Sequence, residues 1–166
     1  KVGTILMIPF FASNFTNGPI AYGLVMVIGS LGFMVGAAIA PKFKFGSVKR
    51  SSIYVMCMIL VGSSRMMVPL CTNLIIIASL FFVSGMFISL ANIIGSTVLQ
   101  VRIPKNMRGK VYGFRRTLNT ALLPLSAILG GILGEWIGIN VTIIIAYSMC
   151  TVIGALLSLS KSHKAF

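Results

Sequence analysis

Very few side chains in this chain could carry out acid–base or metal chemistry. Glu135 is the only acidic residue and His163 the only histidine, and the histidine lies in a basic tail far from the acid. General acid–base catalysis usually needs a pair of titratable groups. The three cysteines, Cys57, Cys71 and Cys150, include no CxxC pair. The sequence therefore predicts no catalytic residues, no metal site and no cofactor.

Other polar side chains lie inside long apolar stretches, where they are costly unless they face protein or a water-filled cavity. Asn92, Asn119 and Thr120 are of this kind. We interpret them as candidate contacts for a solute, and the alternative is hydrogen bonding between helices. Pro124 is a further cavity candidate because a proline in mid-helix frees a carbonyl and kinks the helix. The alternative for Pro124 is a packing kink that does not move.

Two charged residues are candidates for intramembrane charges. Arg65 is the only basic residue inside an apolar stretch, and Glu135 is the only acid in the chain. An Arg65–Glu135 ion pair is one hypothesis. A long arginine side chain can instead reach the membrane boundary or bond to another structural partner.

The elements that must position these residues are long apolar stretches. Of the 166 residues, 57% are hydrophobic and 9% are charged, whereas a soluble domain has about 25% charged residues. A helix needs about 20 apolar residues to cross a bilayer. Five stretches approach or exceed that length, and a shorter one precedes them as the end of a further helix. The predicted helices are residues 2–12 (partial), 20–40, 52–70, 74–98, 111–134 and 141–160.

The basic residues mark one side of the predicted membrane. There are 14 Lys and Arg residues, and all but Lys1 and Arg65 lie in or beside the loops Pro41–Arg50 and Gln100–Lys110 and in the tail that follows residue 160. The turns between them, at Ser13–Pro19, Cys71–Asn73 and Glu135–Asn140, contain no Lys or Arg. This alternation is the positive-inside pattern. It predicts a multi-pass protein of the cell membrane with a cytoplasmic carboxy terminus, and it argues against nucleic-acid binding.

The second basic loop carries a recognisable motif. Residues 104–113 read PKNMRGKVYG, and Pro124-Leu125 and Gly130-Gly131 follow in the next stretch. These residues resemble the P-x-x-x-R-G-[RK]-V-x-G and P-L-x-x-x-x-G-G patterns around the tenth and eleventh helices of the major facilitator superfamily. The macrolide-efflux-type drug exporters are the branch that the chain is most similar to. The first basic loop has Gly46, Lys49 and Arg50 but lacks the aspartate of the family pattern there.

The resemblance implies an all-α membrane protein with about five full transmembrane helices and the end of a sixth. Residues 1–166 would be equivalent to the carboxy-terminal six-helix bundle of the major facilitator fold, with the amino-terminal half missing. It also implies secondary active transport, in the form of drug or small-molecule efflux by alternating access, with protons as the coupling ion. In that fold the motif residues Pro104, Arg108, Gly109 and Gly113 would act in gating. The alternative for Arg108 is a role in topology alone.

The expected partners are the lipid bilayer, the missing half of the same transporter and a small-molecule solute. By analogy, an apolar cavity with few polar groups suits lipophilic cations or neutral drugs. A non-transporting membrane scaffold or a gene relic remains an alternative. A membrane-embedded acyl- or glycosyltransferase is less favoured because the chain lacks a titratable pair.

Overall fold

A computed structural model describes residues 2–42 and 47–159, and this part of the chain is helical without any strand. Seven helices follow one another in these two ranges, and short 3-10 turns lie at Ala40–Lys42, Val68–Leu70 and Lys105–Met107. The helices are α1 (Val2–Ile5), α2 (Met7–Asn14), α3 (Gly18–Ile39), α4 (Ser47–Met66), α5 (Leu74–Arg102), α6 (Arg108–Ile137) and α7 (Ile139–Leu159). Five of the described segments are long and apolar enough to cross a membrane. The predicted all-α membrane fold is confirmed.

The helices on the basic side are longer than the apolar pattern indicates. Helix α5 continues to Arg102 instead of ending at residue 98, and α6 begins at Arg108 instead of residue 111. The predicted loop Gln100–Lys110 therefore shrinks to residues 103–107. Helix α4 begins at Ser47, within the predicted loop Pro41–Arg50, of which residues 43–46 lie outside the described residues. Lys and Arg favour helices intrinsically, so a basic cluster marks the membrane boundary better than it marks a helix end.

The first apolar segment is interrupted once, between α1 and α2. Leu6 separates the two helices, although the backbone bonds Leu6 N–H to Val2 O and Phe10 N–H to Leu6 O continue across it. Pro9 lacks an N–H and cannot donate to the carbonyl of Ile5 four residues earlier. The proline therefore explains the break at this place.

Helices α3 and α5 pack closely through glycines. A side-chain Cβ atom at Gly32 would overlap the backbone carbonyl of Phe82, and one at Gly85 would overlap that of Gly29. Gly36 faces Met86 in the same way. Residue numbers rise together along both helices, so α3 and α5 run parallel. Small residues allow this close backbone approach between membrane helices.

The other main packing pairs are antiparallel. In α4 and α7, Gly62 faces Thr151 while Ile59 faces Gly154. One end of the bundle therefore contains the last residues of α3, α5 and α7. The first residues of α4 lie at the same end. The junctions that carry the basic residues thus lie at the same end of the described bundle, as the charge pattern predicts.

A compact apolar core joins α1, α2, α3, α5 and α7. Its largest fully buried members include Phe10, Phe11 and Phe81. The ring of Phe11 stacks on Phe15 at 5.3 Å and meets Phe10 edge-on at 5.5 Å between centroids. This core lies toward the end of the bundle opposite the basic junctions, and it holds the amino-terminal parts of α3 and α5 in place.

Helix α6 is the least covered of the five long helices. Only Gly130 among its residues is buried, and the helix meets the rest of the bundle mainly through α1 and α7. Gly130 faces Val2 of α1, and Gly134 faces Leu6, which follows α1; Val2 Cγ1 and Leu6 Cδ2 are each 3.3 Å from an idealised Cβ at these glycines. Most of its surface is left for lipid or another protein segment.

Candidate functional site

An open cavity of about 330 Å³ lies between α3 and α5. Its volume is at the lower end of the range of about 300–1,000 Å³ that is common for small-molecule sites. Its wall is mostly apolar and includes one charged side chain, that of Arg65. The lining residues are Met26, Gly29, Ser30, Phe33, Met34, Arg65, Phe81, Gly85 and Ile88.

The cavity lies in the middle part of its helices. Met26 and Met34 are 8 and 16 residues after the first residue of α3, or about 12 and 24 Å along its axis. Phe81 and Ile88 are 7 and 14 residues after the first residue of α5, or about 10 and 21 Å along that axis. A bilayer core is about 30 Å thick, so the cavity spans the region around its centre.

Arg65 enters this cavity from α4, the third helix that forms the site. Its Nε atom donates a 2.9 Å hydrogen bond to Oγ of Ser84, which is fully buried. The guanidinium carbon lies 3.8 Å from the centroid of the Phe81 ring, a cation–π contact. Arg65 therefore points inward, toward α5, instead of reaching out to the membrane boundary.

Two tyrosines contribute further polar atoms on this side of the bundle. Tyr22 of α3 and Tyr147 of α7 lie near the Arg65 guanidinium, and the Tyr147 side chain is within hydrogen-bonding reach of it. The Tyr147 hydroxyl also lies 3.4 Å from Oγ1 of Thr4 in α1. The described groups around the arginine are therefore neutral and come from α3, α5 and α7.

The hypothetical ion pair between Arg65 and Glu135 is not formed in this structure. Glu135 is exposed near the end of α6, whereas Arg65 lies against Ser84 and Phe81. The described bundle has no close packing between α4 and α6 that would bring the two side chains together. The sequence did not identify the structural partner of Arg65. In the structure Arg65 contacts two partners on α5, the Ser84 hydroxyl and the Phe81 ring.

Asn92 lies on the same face of α5 as the cavity. Phe81, Gly85 and Ile88 line the cavity, and Asn92 follows Ile88 by four residues, one turn further on. Its side chain is exposed. The Asn92 side chain could therefore contact a molecule that lies next to the cavity along α5.

Asn119 and Thr120 lie on α6, and both are exposed. Asn119 is 11 residues after the start of α6 and Asn92 is 10 residues before the end of α5, so each is about 15 Å along its helix from the joining loop. Pro124 lies inside α6 and is exposed as well. The structure gives the two asparagines a similar depth but does not include α6 residues in the cavity wall.

The motif after α5 forms a helix cap. Arg108, the first residue of α6, donates from Nε to the carbonyl of Ile103 at 3.1 Å and from Nη2 to that of Gln100 at 2.7 Å. These carbonyls lie at the end of α5, where the last four have no partner within the helix. Pro104 is exposed and precedes the 3-10 turn. The motif thus has a visible structural role in joining two helices.

The two glycines of the motif are open to their surroundings. A Cβ atom at Gly109 or Gly113 would meet no described atom within 4 Å. Packing within the described chain therefore does not require glycine at either position. A role in contacts outside this chain stays a prediction.

Sequence reasoning did not find the residues that complete the cavity. Ser84 and Phe81 look like ordinary members of an apolar stretch, and only their contact with Arg65 distinguishes them. Gly29, Gly32 and Gly36 are a signal that could have indicated a close helix contact, since small residues at such spacing are typical of close helix packing. Which helix they pack against was not readable from the spacing.

The chain matches a known protein family. The family model described as "Major Facilitator Superfamily" matches residues 2–165, nearly the entire chain. No curated protein and no solved structure matches the chain significantly. The family match agrees with the apolar helices, the single-sided basic junctions and the cavity near the middle of the bundle. The chain belongs to the major facilitator superfamily, a family of membrane transporters.

Proposed function

We propose that this chain is the carboxy-terminal half of a secondary active transporter that exports small molecules across the cell membrane. The observation that carries the proposal is the cavity between α3 and α5, which is open, mostly apolar and close to the middle of the membrane-spanning helices. Transporters of this kind bind solute near the midplane between two halves that rock against each other.

The exposed surface of α6 supports a second half as the partner. Its exposed residues include Asn119, Thr120 and Pro124, which are unusual on a surface that faces only lipid. In the proposed arrangement α6 and the Asn92 face of α5 border the space between the halves. Solute then contacts Asn92 and Asn119, and Pro124 gives α6 the flexibility to move.

The motif residues have a proposed part in the cycle. Arg108 holds the end of α5 to the start of α6, so a shift of one helix is passed to the other. Pro104, Gly109 and Gly113 surround this junction and form the cytoplasmic gate with the partner half. In this proposal the carboxy terminus is cytoplasmic, and the basic junctions on that side support it.

Coupling to protons as an antiporter is the final part of the proposal. A proton carrier is normally a carboxylate or histidine within the membrane. Glu135 and His163 are the only such side chains in this sequence, and Glu135 is exposed near the end of α6. The coupling carboxylates therefore belong to the partner half.

The test is export of a panel of small molecules by the full-length protein in everted membrane vesicles. We expect accumulation of at least one compound, which stops when a protonophore collapses the proton gradient. The variant Ser30→Phe, which fills the cavity, serves as the matched control and should abolish that accumulation. A panel with no protein-dependent flux would contradict transport and favour a membrane scaffold. Flux that survives Ser30→Phe would contradict the cavity as the solute site.

A further inference from the structure

We propose that the α3–α5 cavity recognises organic anions, with an apolar body against its walls and a single carboxylate or sulfonate head bound by Arg65. This inference rests on the proposed transport function and names the class of solute. It replaces the expectation by analogy, in which the solute was a lipophilic cation or a neutral drug.

The first argument is the sign of the charge in the cavity. Arg65 is the only charged residue among those that line it. Its described partners, Ser84 Oγ, the Phe81 ring and the side chains of Tyr22 and Tyr147, are neutral and leave the positive charge uncompensated. A charge of this kind is costly in a low-dielectric interior unless a counter-charge approaches it. A cationic solute would be repelled by this guanidinium, and an anionic one would be attracted.

The second argument is the direction in which the guanidinium is held. The Nε–H bond to Ser84 and the contact with Phe81 fix one edge and one face of the planar group. An arginine has five N–H donors in a fixed fork, and carboxylates and related oxyanions accept two of them in parallel. The two Nη groups carry four N–H donors, so donors remain for an oxyanion beside the contact with Tyr147, and Arg65 is one of the residues that line the open space.

The third argument is the remaining wall, which suits the apolar body of an amphipathic solute. Met26, Phe33 and Met34 are large, apolar and exposed on α3, and Ile88 completes the wall from α5. Methionine side chains adapt to different apolar shapes. Ser30 is the only other polar side chain in the lining, and its hydroxyl donates to the Met26 carbonyl at 2.9 Å.

A second cavity provides an internal comparison. It has a volume of about 400 Å³ and lies between α1, α6 and α7. Its described lining has no charged residue, and its polar groups are Thr142, Tyr147 and Cys150. Volume alone would favour this second cavity, but it offers no group that selects an anion. The charge of Arg65 distinguishes the α3–α5 cavity.

The experiment compares two fluorescent probes that differ only in charge. Dansylglycine carries a carboxylate, and dansylglycinamide has a neutral amide of nearly the same shape. Binding to the purified protein in an uncharged detergent is measured by dansyl fluorescence, with empty micelles subtracted. We expect the anion to bind about 10- to 100-fold more tightly, which corresponds to about 1.4–2.8 kcal/mol and is typical of a hydrogen bond to a charged group.

Two variants of Arg65 and two variants at other positions test whether Arg65 is responsible for the preference. Arg65→Gln should abolish it, and Arg65→Lys should keep a reduced preference because the charge remains without the fork. Arg115→Gln is the matched control, since Arg115 is an exposed cation on α6 outside the cavity. It should leave the preference unchanged. Ser30→Phe should weaken both probes equally, and it remains informative if Arg65→Gln does not fold.

The outcomes separate this inference from the transport function. Equal binding of the two probes to the unmodified protein overturns the inference, and so does a preference that survives in Arg65→Gln. Export of neutral or cationic compounds that is insensitive to Arg65→Gln overturns it while leaving transport intact. Selective binding of dansylglycine without any export would instead support the anion site and contradict the transport function.

Discussion

The Nε atom of Arg65 donates a 2.9 Å hydrogen bond to the Oγ atom of Ser84, 19 residues later in the chain. The bond joins α4 to α5 and orients the one cation in the cavity wall. Ser84 Oγ in turn donates to the Phe81 carbonyl at 3.0 Å, in its own helix. The serine is therefore an acceptor for the arginine and a donor to the backbone at the same time.

The variant Ser84→Ala should lower the stability of the protein by about 1 kcal/mol, because the buried Nε–H loses its acceptor. Thermal unfolding in detergent measures the effect. The control is Ser89→Ala on the same helix. Ser89 is also fully buried, but its Oγ has no hydrogen-bond partner among the described residues. Equal effects of the two substitutions would argue against the Arg65–Ser84 bond.

The variant Gly32→Ala should destabilise the protein by about 1–3 kcal/mol, as overpacked sites commonly do. The added methyl group would overlap the backbone of Phe82, which cannot move as a side chain can. Gly23→Ala in the same helix is the control, since a Cβ there meets no described atom within 4 Å. It should be neutral or stabilise by up to about 1 kcal/mol. Unfolding temperatures that fall equally for both would contradict the close α3–α5 contact.

The variant Arg108→Ala should cost about 1–3 kcal/mol, because the carbonyls of Gln100 and Ile103 lose a charged donor. Arg115→Ala removes the same charge from an exposed position on the same helix and should change stability by less than about 0.5 kcal/mol. Both are compared by thermal unfolding. If Arg108→Ala behaved like Arg115→Ala, the cap would have no energetic role and topology alone would explain the residue.

The variant Gly138→Ala should destabilise the turn between α6 and α7 by about 1–3 kcal/mol. Gly138 is the only described residue with a positive φ, at 94°, a conformation that L residues rarely adopt. A Cβ atom there meets no described neighbour within 4 Å, so the cost is conformational. Gly131→Ala, equally open but inside α6, should show no loss. A Gly138→Ala protein that unfolds at the unchanged temperature would contradict this backbone conformation.

The positions of the helices could be predicted from the sequence for a simple physical reason. Lipid offers no hydrogen-bond partners, so an apolar stretch long enough to span it has to be helical. The same argument fails at helix ends, where water is available. This is why α5 and α6 extend beyond their predicted limits toward Arg102 and Arg108.

The cavity itself could not be predicted, because it depends on which helices pack together. Asn92 drew attention as a polar residue in an apolar stretch, and it does lie one turn beyond the cavity on the same face of α5. Arg65 also drew attention, and beside the hypothesis of a pair with Glu135 its structural partner was left open. Ser84 was not recognised, since a serine in a membrane helix usually bonds only to its own backbone. The sequence likewise could not predict that α6 contributes no residue to the described cavity wall, because the spacing of apolar residues does not determine which helices pack together.

The most direct test of the account asks whether the α3–α5 cavity is accessible to water within the membrane. The native cysteines, Cys57, Cys71 and Cys150, are first replaced by serine. Ser30→Cys then places a thiol in the cavity wall, and Leu31→Cys places one at the same depth about 100° around the helix, outside the lining. A water-soluble maleimide is added to open membrane fragments, and labelling rates are compared. The account predicts that Ser30→Cys reacts at least about tenfold faster, because thiol reaction requires the thiolate and hence water. Equal rates, or faster labelling at position 31, would contradict a solute cavity between these helices.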